Sequence, residues 1–290
     1  MEESTFTFPA DESLDGGSEI TFSALKLPDA PPQTYHERRP GVPKGEIEMF
    51  HLRSTILDNE RRVWVYTPPG YTREGAAYGL LVLFDGLAYI DLVQTPIILE
   101  NLLAGDEIPP LVCVLIDSLS HEVRCRELPC YQPFVDFLAK ELLPWVRYAF
   151  HVTSDPAQIT IGGSSYGGLA ATFAGLRAPE TFGNVLSQSG SFWWKPEGAA
   201  EHEWLARQFV AAPTLPLRFY LDVGLYERRS TPDDGPSQVV VNRHMRDVLR
   251  ARGYEVHYAE FQGGHDYMCW RETIVDGLLA LTGKNQSIKR

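Results

Sequence analysis

The sequence predicts an α/β fold: a mostly parallel central sheet with helices on both faces. Three observations carry the prediction. Residues 79–84 and 111–116 are continuously apolar, as strands buried on both faces are. Residues 131–150 place Phe134, Phe137, Leu138, Leu142 and Val146 at helical spacing. Strand-like runs alternate with helical stretches of ten to twenty residues, which builds right-handed βαβ units and not hairpins.

At 290 residues and 44% hydrophobic, the chain can bury one large α/β domain plus an extension. With 38 acidic and 26 basic residues the net charge is −12. A general nucleic-acid or anionic-membrane binder needs a basic surface, so both classes are excluded and any positive charge for an anionic ligand must be local. The N-terminus has no basic flank or apolar run, and no stretch of eighteen apolar residues occurs. A soluble, cytoplasmic protein is expected. Cys113, Cys125, Cys130 and Cys269 follow no metal-site spacing. Reduced thiols are expected, with a Cys125–Cys130 disulfide left open.

Taken in order, residues 1–44 carry Pro9, Pro28, Pro31, Pro32, Pro40 and Pro43 with Gly16-Gly17. They read as an extended arm or linker in which residues 20–27 add one edge strand, and residues 45–290 as the catalytic domain. Residues 46–54 and 62–67 alternate apolar and polar and open the sheet as an antiparallel pair. The buried strand 79–84 ends at Asp85-Gly86; a helix over 96–103 leads to the strand 111–116. A charge-rich loop over 121–130 precedes the helix over 131–150. A β-branched run into Gly162-Gly163 is the next strand, and residues 169–176 the next helix. Strand 185–186, loop 187–194, strand 217–223, helix 238–252, strand 256–261 and helix 270–281 complete the chain. Ligands bind such sheets at the carboxyl ends of the strands, where each of the polar loops falls.

The chemistry centres on Gly163-Ser164-Ser165-Tyr166-Gly167, a strand-to-helix turn with nucleophile-elbow spacing. Ser165 is the candidate nucleophile, and a serine hydroxyl needs a base within hydrogen-bond reach. In the α/β-hydrolase order the acid follows the serine and the histidine comes last, which selects His265 in Gly263-Gly264-His265-Asp266. His36, His51, His151, His202, His244 and His257 fall in the arm, in alternating strands or on helix faces, whereas His121 borders the site. The acid follows the strand 217–223. Glu227 is the first choice and Asp222 the second, with Asp233 and Asp234 as further candidates. The oxyanion donors expected of this fold are the N–H of Tyr166 and that of Gly86, with Leu87 as the alternative. No metal or other cofactor is expected.

Residues 161–168 and 186–194, the run Arg126-Glu127-Leu128-Pro129-Cys130, and Gly263-Gly264-His265-Asp266 with Cys269-Trp270 together resemble the enterochelin (ferric enterobactin) esterases. The resemblance covers residues 45–281, and residues 22–31 resemble the segment joining two domains in that family. The departure is the amino-terminal β-rich domain of its cytoplasmic members, which these residues do not match. The resemblance implies hydrolysis of a catecholate siderophore trilactone, with iron, where present, arriving inside the substrate. An anionic, aromatic chelate calls for cations and flat surfaces, which Arg124, Arg126, Trp193, Trp194 and Trp270 would supply. The small-molecule siderophore is the expected partner, with no nucleic acid and no membrane. A general or feruloyl-type carboxylesterase and a non-catalytic siderophore-binding protein are the competing readings.

Overall fold

The computed structural model describes residues 2–8, 20–26 and 33–284. In the strand β5 (Gly79–Leu83), Leu80 and Val82 enter one apolar cluster and Leu81 and Leu83 the other. That is the two-residue period of a strand covered on both faces.

The chain begins with β1 (Glu2–Phe8) and β2 (Ile20–Lys26), followed by β3 (Glu46–Ser54), β4 (Asn59–Thr67) and β5. Next come α1 (Gly86–Asp91), α2 (Thr95–Ala104), β6 (Leu111–Ile116), α3 (His121–Glu127), α4 (Gln132–Phe137) and α5 (Leu143–Ala149). Then follow β7 (Ile159–Ser164), α6 (Tyr166–Arg177), β8 (Asn184–Gln188), α7 (Trp204–Ala211), β9 (Arg218–Gly224), α8 (Gln238–Ala251), β10 (Glu255–Phe261) and α9 (Tyr267–Thr282). The main sheet has eight strands in the order β10-β9-β8-β7-β5-β6-β4-β3. β10 through β6 are parallel, and β4 and β3 continue the sheet antiparallel. One face packs on α1, α2 and α9 through Tyr89, Leu99, Ile274 and Leu278. The other packs on α4 to α8 through Phe137, Val146, Leu169, Phe209 and Met245. Among the described residues no helix is long and apolar enough to cross a membrane.

Four local departures from the sequence reading have physical causes. The helix expected over 131–150 contains a π-helical turn, Leu138–Leu142, ahead of Pro144. Proline has no N–H and would crowd the carbonyl four residues back, which the wider turn relieves. The expected loop over 121–130 holds α3, started by the Ser120 side chain accepting from the Val123 N–H at 3.1 Å. Its last residue, Glu127, is anchored by the buried guanidinium of Arg61 at 2.8 Å. α1 and α7 form where no helix was expected. Finally, β2 is not an edge of the main sheet: it pairs with β1 in a separate antiparallel ribbon. Leu27 and the proline and glycine positions at 9–19 and 27–32 lie outside the described residues. Residues 33–45 are strapped to α2 and α9. The Asn101 side chain donates to the carbonyls of Tyr35 and Glu37, and Gly45 N donates to Glu100 Oε1. Arg271 donates to Gln33 Oε1. All four cysteines are free, and Cys113 is buried in β6.

Candidate active site

At the carboxyl end of the central strand β7, Ser165 adopts φ 57°, ψ −119°, a conformation that costs a non-glycine residue on the order of 1–3 kcal/mol. Three backbone hydrogen bonds hold it. Its N–H donates to Gln188 O at 2.9 Å, and its carbonyl accepts from Leu169 N at 3.1 Å and Ser191 N at 3.0 Å. A side chain at Gly163 would come within 3.0 Å of the Gly167 backbone, which is why the turn closes only with glycine there. Tyr166 opens α6, so its N–H has no partner within the helix and forms part of the positive end of the helix dipole.

The histidine comes from the far side of the sheet. β10 runs into Gly263-Gly264-His265, and Asp266 caps α9 by accepting from Cys269 N at 3.0 Å. β9 ends at Gly224, and the turn beyond it delivers Glu227. His265 Nδ1 and Glu227 Oε2 lie 2.5 Å apart. The other oxygen, Oε1, accepts from Gly224 N at 2.8 Å and from Ser189 Oγ at 2.7 Å. The Glu227 side chain is 3% exposed and that of His265 40%, so the pair joins a buried anion to an accessible ring. With Nδ1 on the carboxylate, Nε2 is the nitrogen left to exchange a proton.

The loop after β8 touches both halves. Ser189 Oγ holds Glu227, and two residues on, buried Ser191 Oγ lies 3.2 Å from Ser165 Oγ. Among the described residues no hydrogen bond joins Ser165 Oγ to His265. Trp270 sits beneath His265 with its ring edge-on at 4.8 Å, and its Nε1–H donates to Ser189 Oγ at 3.1 Å. Asp222 is fully buried and accepts from Ser189 N at 3.1 Å. Burial, with Glu227 nearby, pushes its carboxyl up to about 7.

Across β7, the end of β5 abuts the elbow. A Cβ on Gly167 would lie 3.6 Å from Phe84 Cβ and 3.7 Å from Asp85 Oδ2. Asp85, at φ 52°, starts α1. Arg124 grips it bidentately, Nε to Oδ1 and Nη2 to Oδ2 both at 2.7 Å, and Ser118 Oγ donates to Oδ1 at 2.6 Å. Burial alone would raise the Asp85 carboxyl, but the Arg124 charge and these hydrogen bonds hold it below its ordinary value. Gly86 packs on β6 so closely that a Cβ would meet Leu115 C at 2.8 Å. Gly86 and Leu87 are the first two residues of α1.

The structure therefore brings Glu227, not Asp222, to His265, and sets Asp234 on an exposed turn, Pro232–Asp234, that also holds Asp233. Two of the expected substrate contacts are engaged within the protein. Trp270 is 3% exposed and packs under His265. Arg124 is spent on Asp85, with its guanidinium 5.9 Å from the Tyr166 ring. Arg126 is 55% exposed, 3.5 Å from Glu127. Trp193 and Trp194 are partly buried: Trp193 lies against Tyr166 and Trp194 edge-on to Trp204. His121 is exposed on α3 beside Cys125. Sequence reasoning assigned no role to Asp85, Gln188, Ser189 or Ser191. Their signal was the cluster of small polar residues at strand ends.

Residues 54–281 match the model of the Esterase family, described as "Putative esterase", and the chain belongs to that family. It is 35% identical over 247 residues to the iron(III) enterobactin esterase of Dickeya dadantii (strain 3937), covering 80% of this chain and 54% of that protein. To the iron(III) enterobactin esterase of Escherichia coli (strain K12) it is 35% identical over 275 residues, covering 93% and 65%. The crystal structure of the enterobactin esterase FES from Shigella flexneri in the presence of enterobactin superposes with a TM-score of 0.77 at 31% identity, covering 91% of this chain and 65% of that one. The chain thus spans about half to two thirds of the length of these proteins.

Proposed function

We propose that this chain is a serine esterase that cleaves the trilactone esters of a catecholate siderophore of the enterobactin type, with residues 45–290 as the catalytic unit. The observation that carries the reading is the buried Glu227 carboxylate on His265 Nδ1, linked through the Ser189–Ser191 loop to the strained elbow at Ser165. Homology to enterobactin esterases supplies the substrate class.

In this reading Ser165 Oγ leaves Ser191 and attacks the lactone carbonyl as His265 Nε2 takes its proton. Glu227 stabilises the imidazolium that forms. The carbonyl oxygen, now an anion, is met by the Tyr166 N–H and by the N–H of Gly86 or Leu87. His265 returns the proton to the leaving serine hydroxyl of the trilactone, and water then releases the acyl group by the same steps. The aromatic, anionic substrate meets Arg126, Trp193 and Trp194 at the mouth. Cleavage of the ligand would release iron held as cargo, which fits a cytoplasmic role.

The test is labelling of Ser165 by an organophosphonate, with Ser165→Ala as control, alongside hydrolysis of cyclic enterobactin and of short p-nitrophenyl esters. Labelling at Ser165 with preferential cleavage of the trilactone is expected. Absence of the label removes the esterase reading, and good cleavage of short esters without the trilactone removes the siderophore.

A further inference from the structure

Gln188, the last residue of β8, is fully buried and lies between three elements that the proposed chemistry needs. Its backbone carbonyl accepts from Ser165 N at 2.9 Å, one of the bonds that hold the elbow in its strained conformation. Its side-chain amide reaches in two other directions. Oε1 accepts from the Tyr89 hydroxyl at 2.8 Å, and Nε2 donates to Trp270 O at 2.8 Å and to Thr273 Oγ1 at 2.7 Å. A backbone carbonyl only accepts, so Trp270 fixes which end of the amide is which.

Each partner belongs to a different piece of the site. Tyr89 lies in α1, whose first residues are Gly86 and Leu87, and is itself fully buried. Trp270 and Thr273 lie in the first turns of α9, directly after His265, and Trp270 is the ring packed beneath His265. One amide thus ties the helix bearing the oxyanion candidates to the helix following the histidine, across the strand that fixes the serine. None of these bonds meets solvent, so each is stronger than it would be at the surface, and losing one leaves an unsatisfied group behind.

We propose that Gln188 is a positioning residue that holds the oxyanion helix, the nucleophile and the histidine helix in one register. This rests on the esterase reading. Gln188 touches no reacting atom. It acts through Tyr89, Ser165 N–H and the first turns of α9. A site set loose by an ångström loses rate much more than affinity.

The experiment uses the full chain, p-nitrophenyl acetate turnover, and the rate of Ser165 modification by diethyl p-nitrophenyl phosphate, with folding followed by circular dichroism. Gln188→Met keeps the volume and removes all three side-chain bonds. It is expected to lower kcat and the modification rate about 10- to 100-fold while KM changes less than about threefold. Tyr89→Phe removes one bond and is expected to cost less, and adding it to Gln188→Met is expected to cost nothing more. Gln188→Glu carries a pH signature. Its carboxylate cannot donate to Trp270 O, whereas the protonated acid can, so activity relative to wild type is expected to rise about tenfold on acidification with folding unchanged. A purely structural residue would not move that ratio, and Gln188→Glu carries the test alone where Gln188→Met does not fold. A folded Gln188→Met chain within twofold of wild type in both rates, or a flat Gln188→Glu ratio, overturns the positioning role alone. If wild type is not modified at Ser165, the esterase reading falls and this role falls with it.

Discussion

Two buried carboxylates flank the elbow, Asp85 on the β5 side and Glu227 on the β9 side, and each accepts three hydrogen bonds. Asp85 receives Arg124 twice and Ser118 once. Glu227 receives Gly224 N, Ser189 Oγ and His265 Nδ1. The difference is the cation. A guanidinium keeps its charge at any working pH and, at 19% exposure, is enclosed, so the Asp85 pair is a fixed brace. The His265 ring is 40% exposed and keeps Nε2 free of the carboxylate, so the Glu227 pair leaves a nitrogen open to something bound above it. The same way of stabilising a buried anion yields a lock on one side and, under the proposed function, a relay on the other.

If that contrast is right, Glu227→Gln gives the largest change. It is expected to lower kcat about 10³- to 10⁴-fold by mis-setting the histidine, with little loss of stability. Steady-state kinetics on a p-nitrophenyl ester check it, and a loss under tenfold would mean that the pair is not the relay. Arg124→Ala should do the reverse. It strands Asp85 as a buried unpaired charge and is expected to cost about 3–5 kcal/mol in urea unfolding. Its effect on turnover should be equal for neutral and anionic esters. A selective loss on the anion would restore Arg124 to the substrate.

Asp222 sharpens the relay side. Its folded pKa, about 7 against an ordinary 3.8, means that the native state keeps a proton that the unfolded chain has released across that interval. Asp222 should therefore contribute stability that declines as pH rises from about 4 to about 7, by an amount on the order of a few kcal/mol. Asp222→Asn keeps the acceptor for Ser189 N and should flatten this decline, which denaturant melts across the interval would read. The smallest expected effect is that of Trp270→Phe. It removes the donor to Ser189 Oγ while keeping a ring under His265, and should cost about 1 kcal/mol of stability and a few-fold in kcat.

Much of the fold was legible because buried parallel strands are apolar throughout and amphipathic helices keep their period. Leu80 to Leu83 announce themselves this way, as do Phe134 to Val146. α3 was not legible, since seven mostly charged residues have no apolar stripe, although Ser120 is a sound start signal. The elbow and His265 stand out through glycine spacing and chain order. The Asp85–Arg124 brace does not, because its partners lie 39 residues apart and nothing local marks either one. The burial of Trp270 was not legible for a related reason: an indole suits a wall or a core equally, and the packing of α9 sets its 3% exposure. The pairing of β2 with β1 was missed because a short alternating run carries no record of which strand lies beside it.

The backbone of Ser165 also bears on how long the folded chain lasts. A φ of 57° is a standing cost in each molecule, turning or idle, and glycine would lift it. Ser165→Gly should therefore outlast its parent in a thermal challenge, by about 1 kcal/mol once glycine's extra freedom in the unfolded chain is subtracted. Selection for durability alone would erode this serine. Under the proposed function a demand for turnover opposes that drift, and the residue marks a trade between endurance and work.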